Sequence, residues 1–293
     1  MFGCFPWIGS FSNTQPGYKT IYKIYRPIDG AVLRTLTTVI PSITLDNTNH
    51  ASNRVAGTGP ANKPYYLTWI HNNLNNENTY TTSAMSGTIS AQRNFLADFS
   101  IYGKTPLRGK DILELKIMQN VNFSFYLDTN VRFASCQLDT NSCYSIGLPN
   151  ELVSAKVVHA GISYLFTERA GASGYVNFDF EDAQKNPLIL VTGDRIESTG
   201  MPDYILPKIT ASVNFDNDKI QGAIPAKSYF ELWVMDSFNY EWLWAHAEPT
   251  TAYYSVDFTS MFDFNPENGL RATIKYIDPE TGHTTNRNFV FGQ

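Results

Sequence analysis

Alternation is the feature that most constrains this chain. The runs "YKTIYKIY" (18–25), "AVLRTLTTVI" (31–40), "NFLADFSIY" (94–102), "DILELKIM" (111–118), "VNFSFYL" (121–127), "GYVNFDF" (174–180), "AYYSVDF" (252–258) and "RATIKYI" (271–277) each switch between apolar and polar residues, and Gly, Pro, Asn or Asp bound them. A period of two sends successive side chains to opposite faces of an extended strand. Many such runs with this punctuation fold into stacked sheets. We therefore expect an all-β chain of one or two antiparallel β-sandwich domains, jelly-roll or Ig-like, with long polar loops and at most one or two short helices. The best helical candidate is "PNELVSAKVVHA" (149–160), with Asn150 as cap and Glu151 in the first turn; Val153, Val157 and Val158 leave a strand open there.

Two stretches, 44–64 and 71–90, are rich in Asn, Thr and Ser and carry few apolar residues. They read as loops or arms ordered by a neighbour. Gly147 and Pro149 then interrupt the pattern, which suggests an N-terminal β-rich domain over 1–150, carrying those loops, and a C-terminal sandwich over 151–293. Asp128-Thr129-Asn130 reads as a turn joining two strands, and "IDPETGHT" as a hairpin turn with Pro279 early and Gly282 supplying a positive φ. No internal repeat stands out: "VNFSFYLDTN" and "SYFELWVMDSFN" share only a strand followed by an Asp turn.

Charge narrows the partners. Charged residues make up 17% of the chain, below the usual quarter, and the net charge is −5 with no Lys/Arg-rich cluster. Displacing counterions from phosphate needs a basic stripe, so no nucleic-acid partner is expected. No apolar run reaches the length of a membrane helix, so no membrane span is expected. An outer-membrane barrel fits poorly, because strands such as Phe230-Leu232-Val234 backed by Trp233 are apolar on both sides. The opening "MFGCFPWIGSF" has neither a basic region nor a small-residue cleavage site and does not read as a signal peptide. Cys136 and Cys143 flank the turn Asp139-Thr140-Asn141 and are placed either for a disulfide across a hairpin or as a reduced buried pair. Cys4 is left over.

The densest aromatic run is "KSYFELWVMDSFNYEWLWAHAEP" (227–249), which holds three of the five tryptophans. As a hairpin turning at Asp236-Ser237-Phe238-Asn239, it places Phe230, Leu232 and Val234 on one face and Tyr229, Glu231, Trp233 and Met235 on the other. Tyr240, Trp242, Trp244 and His246 share a face of the return strand. Burial in a core or subunit interface is the ordinary use of such rings. The alternative is a platform for a protein partner or glycan, with Glu231 and His246 as polar contacts.

Catalytic signatures are lacking. The chain has no G-x-S-x-G, G-x-x-x-x-G-K-[ST], H-E-x-x-H or C-x-x-C, and "HAE" (246–248) has no P-C-x-x-C partner. Acids gather at Asp179, Glu181 and Asp182, at Asp216 and Asp218, and at Asp257 and Asp263. They offer oxygens of the kind calcium takes, without a full calcium-loop spacing, and paired carboxylates of the kind glycoside hydrolysis uses. Asn122-Phe123-Ser124 lies inside an expected strand. No catalytic residue, metal site or cofactor is assigned beyond that weak calcium reading. The expected role is a non-enzymatic structural, assembly or attachment protein of a virion or an extracellular surface, self-assembling or bound to protein partners. A Met1 without a leader favours the virion. The alternative is a secreted carbohydrate-binding module or glycan-cleaving enzyme using the aromatic face.

Overall fold

In the computed structural model, each of the eight alternating runs supplies a strand. It describes residues 16–26, 28–49, 53–72, 80–102, 107–120, 123–147, 150–236, 242–259 and 269–292. Twenty-three strands and one turn of 3-10 helix, Phe99–Tyr102, are present, with no α-helix among the described residues. The expected helix is instead strand β12, Leu152–His159, in which Val153, Ala155 and Val157 are buried at a period of two. β-Branched residues at that period fit a pleated surface better than a helix turn.

β1 (Lys19–Tyr25) and β2 (Val32–Val39) form a hairpin of their own, and the other strands repeat one design three times. In the first unit β3 (Thr44–Asn49), β4 (Arg54–Thr58) and β7 (Asn94–Asp98) form one sheet, and β6 (Tyr80–Thr88), β5 (Pro64–Asn72), β8 (Ile112–Asn120) and β9 (Phe123–Asn130) form the other. The second unit pairs β10 (Ala134–Gln137), β11 (Ser142–Ile146) and β14 (Tyr175–Asp179) in one sheet. Its other sheet runs β13 (Ile162–Arg169), β12, β15 (Arg195–Ser198), β16 (Tyr204–Ile205). In the third, β17 (Ser212–Asn214), β18 (Lys219–Ala223) and β21 (Tyr253–Asp257) form the smaller sheet. β20 (Trp242–Ala247), β19 (Tyr229–Asp236), β22 (Leu270–Ile277) and β23 (Thr284–Phe291) form the larger. Each unit is thus a three-plus-four antiparallel sandwich with immunoglobulin-like strand order.

The repeat is also written in the residues, against the expectation of none. The fifth strand of each unit ends in the same way: Asp98-Phe99, Asp179-Phe180 and Asp257-Phe258, each phenylalanine fully buried. Each turn before the second strand contains a left-handed residue, Asn53, Asp139 or Asp218, and each corner before the third strand contains another, Asn62, Asn150 or Lys227. Asn and Asp tolerate this conformation because their side chains bond locally.

Three expectations about organisation are corrected. Residues 44–64 and 71–90 supply β3, β4, the ends of β5 and all of β6. Strands of an antiparallel sheet with one face to water need only one inward side chain in two, so a polar run such as the one holding Leu45 and Val55, both buried, still forms a sheet. The division near residue 150 falls inside the second unit, at the Asn150 corner; the chain changes sandwich between β9 and β10, and again between β16 and β17. Asp128-Thr129-Asn130 is the end of strand β9 and not the turn that joins it to the next strand, which belongs to the following sandwich. Gly, Pro and Asn punctuate corners within a sandwich and joints between sandwiches alike.

The second and third units are fused. β10 pairs in parallel with β23, so two sheets become one of seven strands, ordered β14-β11-β10-β23-β22-β19-β20. Beneath it lies a continuous core running from Cys136 and Phe178 to Phe230 and Ile274. The first unit has its own core around Leu67, Phe99 and Leu115. It meets the others at the β22–β23 turn, where the Gly109 N–H donates to Thr281 O at 2.6 Å. Gly282 there has φ +74, and a Cβ on it would lie 2.3 Å from Gly109 O, so only glycine fits.

Candidate functional site

The outer face of the seven-stranded sheet carries the aromatic run. β19 and β20 pair as expected, with Trp233 directly opposite Trp244. Phe230, Leu232 and Val234 point inward and are buried. The two indoles point outward, 40% and 42% exposed, with ring centroids 6.2 Å apart and planes inclined at 51°. They are an open, tilted pair on the surface. Tyr240 lies outside the described residues, as do the side chains of Trp242 and His246, together with Cys4, Asn122 and Asp263.

Glu231 does not serve as the free polar contact expected of it. It is buried, and both carboxylate oxygens accept hydrogen bonds from Lys275 Nζ, at 2.8 and 2.6 Å. This partly buried ion pair ties β19 to β22 just below the tryptophans. Its neighbours across the face come from strands far away in sequence. Thr273 stands opposite Trp233, and its hydroxyl donates to Asn288 Oδ1 at 2.8 Å. Arg271 and Val290, paired across β22 and β23, are exposed beside them. Farther along, Gln137 pairs with Asn286, and the outward Tyr144 and Tyr175 approach with ring centroids 6.3 Å apart. Sequence reasoning missed these residues. The alternation of "RATIKYI" marks Arg271, Thr273 and Lys275 as one face, but only strand order sets them beside Trp233.

Cys136 and Cys143 form a disulfide with Cα atoms 4.1 Å apart, joining opposed positions on β10 and β11. Both are buried at the root of the strand that fuses the two sandwiches. The acidic residues are used locally. Asp182 holds its own turn through the Gln184 and Asn186 N–H groups, and Asn186 Nδ2 keeps its pKa below the usual range. Asp257 is lowered to about 2, first by the Thr259 hydroxyl and then by the Thr259 N–H and Lys219. Among the described residues, no three His, Cys, Asp or Glu side chains converge as metal ligands. No helix there is long and apolar enough to cross a membrane.

No family model and no curated protein matches the sequence. Solved structures align loosely. The tetra-tandem repeat in the extending region of a large adhesion protein is 15% identical, with 93% of this chain and 80% of that chain covered at a TM-score of 0.23. The chicken CNTN1 FN1–FN3 domains are 7% identical, covering 86% and 98% at 0.21. Escherichia coli alpha-2-macroglobulin is 11% identical, covering 88% of this chain and 20% of its own at 0.20. At these scores the sandwich description rests on the strand pairing, not on the likeness.

Proposed function

We propose that this chain is a non-enzymatic attachment or assembly protein that contacts its partner through the outer face of the seven-stranded sheet. One observation carries the reading: the Trp233–Trp244 pair stands exposed on a surface that two fused sandwiches make continuous. Seven strands at the usual spacing span about 29 Å, room for a protein epitope. Exposed indoles amid Thr, Asn and Arg have the make-up of an interface centre, where Trp and Arg contribute most. A buried disulfide supports an oxidising location, so we place the protein at an extracellular or virion surface.

A glycan is the second reading, favoured by the tilt between the indoles and the Thr273–Asn288 hydrogen bond beside them. The faces of sugar rings stack on such surfaces while their hydroxyls take polar contacts. Full-length protein, immobilised beside its W233A/W244A variant, is offered a glycan array and a preparation of cell-surface proteins. Retention that falls about tenfold or more in the variant supports the face as the site. Equal retention by both places the contact elsewhere, and turnover of any bound glycan ends the non-enzymatic reading.

A further inference from the structure

The β1–β2 hairpin is surplus to the fold. Three seven-stranded sandwiches use every other strand, and among the described residues β1 and β2 pair only with each other. A lone two-stranded hairpin is marginal in water. This one nonetheless exposes Ile21, Tyr22, Ile24, Tyr25, Val32 and Leu33 by 41% to 56% each. The register sends Ile21 and Tyr25 to one face and Tyr22 and Ile24 to the other, so apolar side chains stand on both sides.

We propose that the hairpin docks onto the body of a second copy of this chain. Charge selects that occupant. The hairpin carries Lys19, Lys23, Arg26 and Arg34 against Asp29, a net +3 within a chain of net −5, which leaves −8 on the remainder. A second copy therefore presents an acidic body to a basic hairpin, while two hairpins repel each other. An anionic bilayer would attract the hairpin but repel the body behind it. The exposed face is also interleaved with polar groups, Lys19 and Lys23 on β1 and Thr35 and Thr37 on β2, a pattern of protein interfaces more than of lipid contact.

Area agrees. Nine large apolar side chains between Tyr18 and Val39 are exposed. At about 100 Å² each they amount to roughly 900 Å², close to the ~800 Å² per partner of a standard interface. That total needs both faces covered, so the hairpin is clasped by its neighbour. Reciprocal exchange of hairpins closes a two-fold dimer, and one-way docking closes a ring or extends a chain.

Sedimentation velocity of the full chain over a concentration series tests this, beside Ile21→Asp/Leu33→Asp and Lys19→Glu/Lys23→Glu variants, at low and high salt. Thermal melting confirms that each variant keeps its sandwiches. The expected result is a mass that grows with concentration, weakened about tenfold or more by either variant and by salt. A wild-type chain that stays monomeric overturns the proposal, as does association that neither variant alters. Monomers captured by phosphatidylserine vesicles through the hairpin would overturn it in favour of lipid. The W233A/W244A variant leaves this association intact, so failure here and failure of the sheet-face reading are distinguishable.

Discussion

His159 Nδ1 lies 2.9 Å from the Asp194 carboxylate, and His71 Nδ1 lies 2.9 Å from Asp111 at the same corner of the preceding sandwich. Each histidine stands at the end of a third strand, and each aspartate just before the sixth strand that pairs with it. Each carboxylate also accepts the backbone N–H three residues back, from Val191 and Arg108. The two units thus close one corner with one device. Asp111 is the more heavily used, since it also takes the Trp69 indole N–H at 2.9 Å.

Removing that carboxylate should cost more in the first unit than in the second. Asp111→Ala strands three donors in a buried corner and should lose about 3 kcal/mol or more, against about 2 kcal/mol for Asp194→Ala. Hydrogen exchange of β8 and β15 amides separates the two losses. Equal losses would show that the indole contributes nothing.

The recurring Asp-Phe step predicts recurring energetics. Phe99→Ala, Phe180→Ala and Phe258→Ala each empty a fully buried ring site and should each cost about 3–5 kcal/mol, measured by guanidinium unfolding. A neutral substitution at any one would break the structural equivalence of the three units.

Acid should weaken the ends of the fifth strands. Asp98 is lowered to about 2, first by the Ser100 hydroxyl, with Arg54 and the Ser100 N–H adding to it, and Asp257 is lowered to about 2 in the same manner by Thr259. A depressed folded pKa means stability fully present above the ordinary value near 4 and lost as pH falls toward 2. Carboxyl-carbon NMR titration checks this. Ser100→Ala should move Asp98 upward and leave Asp257 unchanged.

Glu231 and Lys275 should depend on each other. Lys275→Met leaves a buried carboxylate without its cation and should destabilise the third unit by about 3 kcal/mol, the low end for buried pairs because Lys275 is partly exposed. Glu231→Leu/Lys275→Met should recover much of that loss. A double variant as unstable as the single one would mean the pair is not coupled, read from the denaturation midpoints.

Reducing the chain should loosen the fused sheet. Cys136→Ala/Cys143→Ala opens a short loop and should cost about 2–3 kcal/mol. The loss should fall on β10 exchange protection, because β10 is the strand shared by two sandwiches.

The eight alternating runs, the inward face of β19 and the Cys136–Cys143 hairpin were legible in the sequence, because a period of two and a turn at Asp139-Thr140-Asn141 are local matters of sterics, whereas the polar strands β3, β4 and β6 and the valine-rich β12 were not. The repeat was legible too, in Asp98-Phe99, Asp179-Phe180 and Asp257-Phe258, but three short steps set about eighty residues apart stand out only when strand order aligns them. Tertiary structure alone decided the rest. Whether Trp233 faces a core or water, that Lys275 occupies Glu231, and that β10 meets β23 all depend on which strands pair over long separations. An alternating pattern says which side chains share a face; only the assembled sheets say what, if anything, covers it.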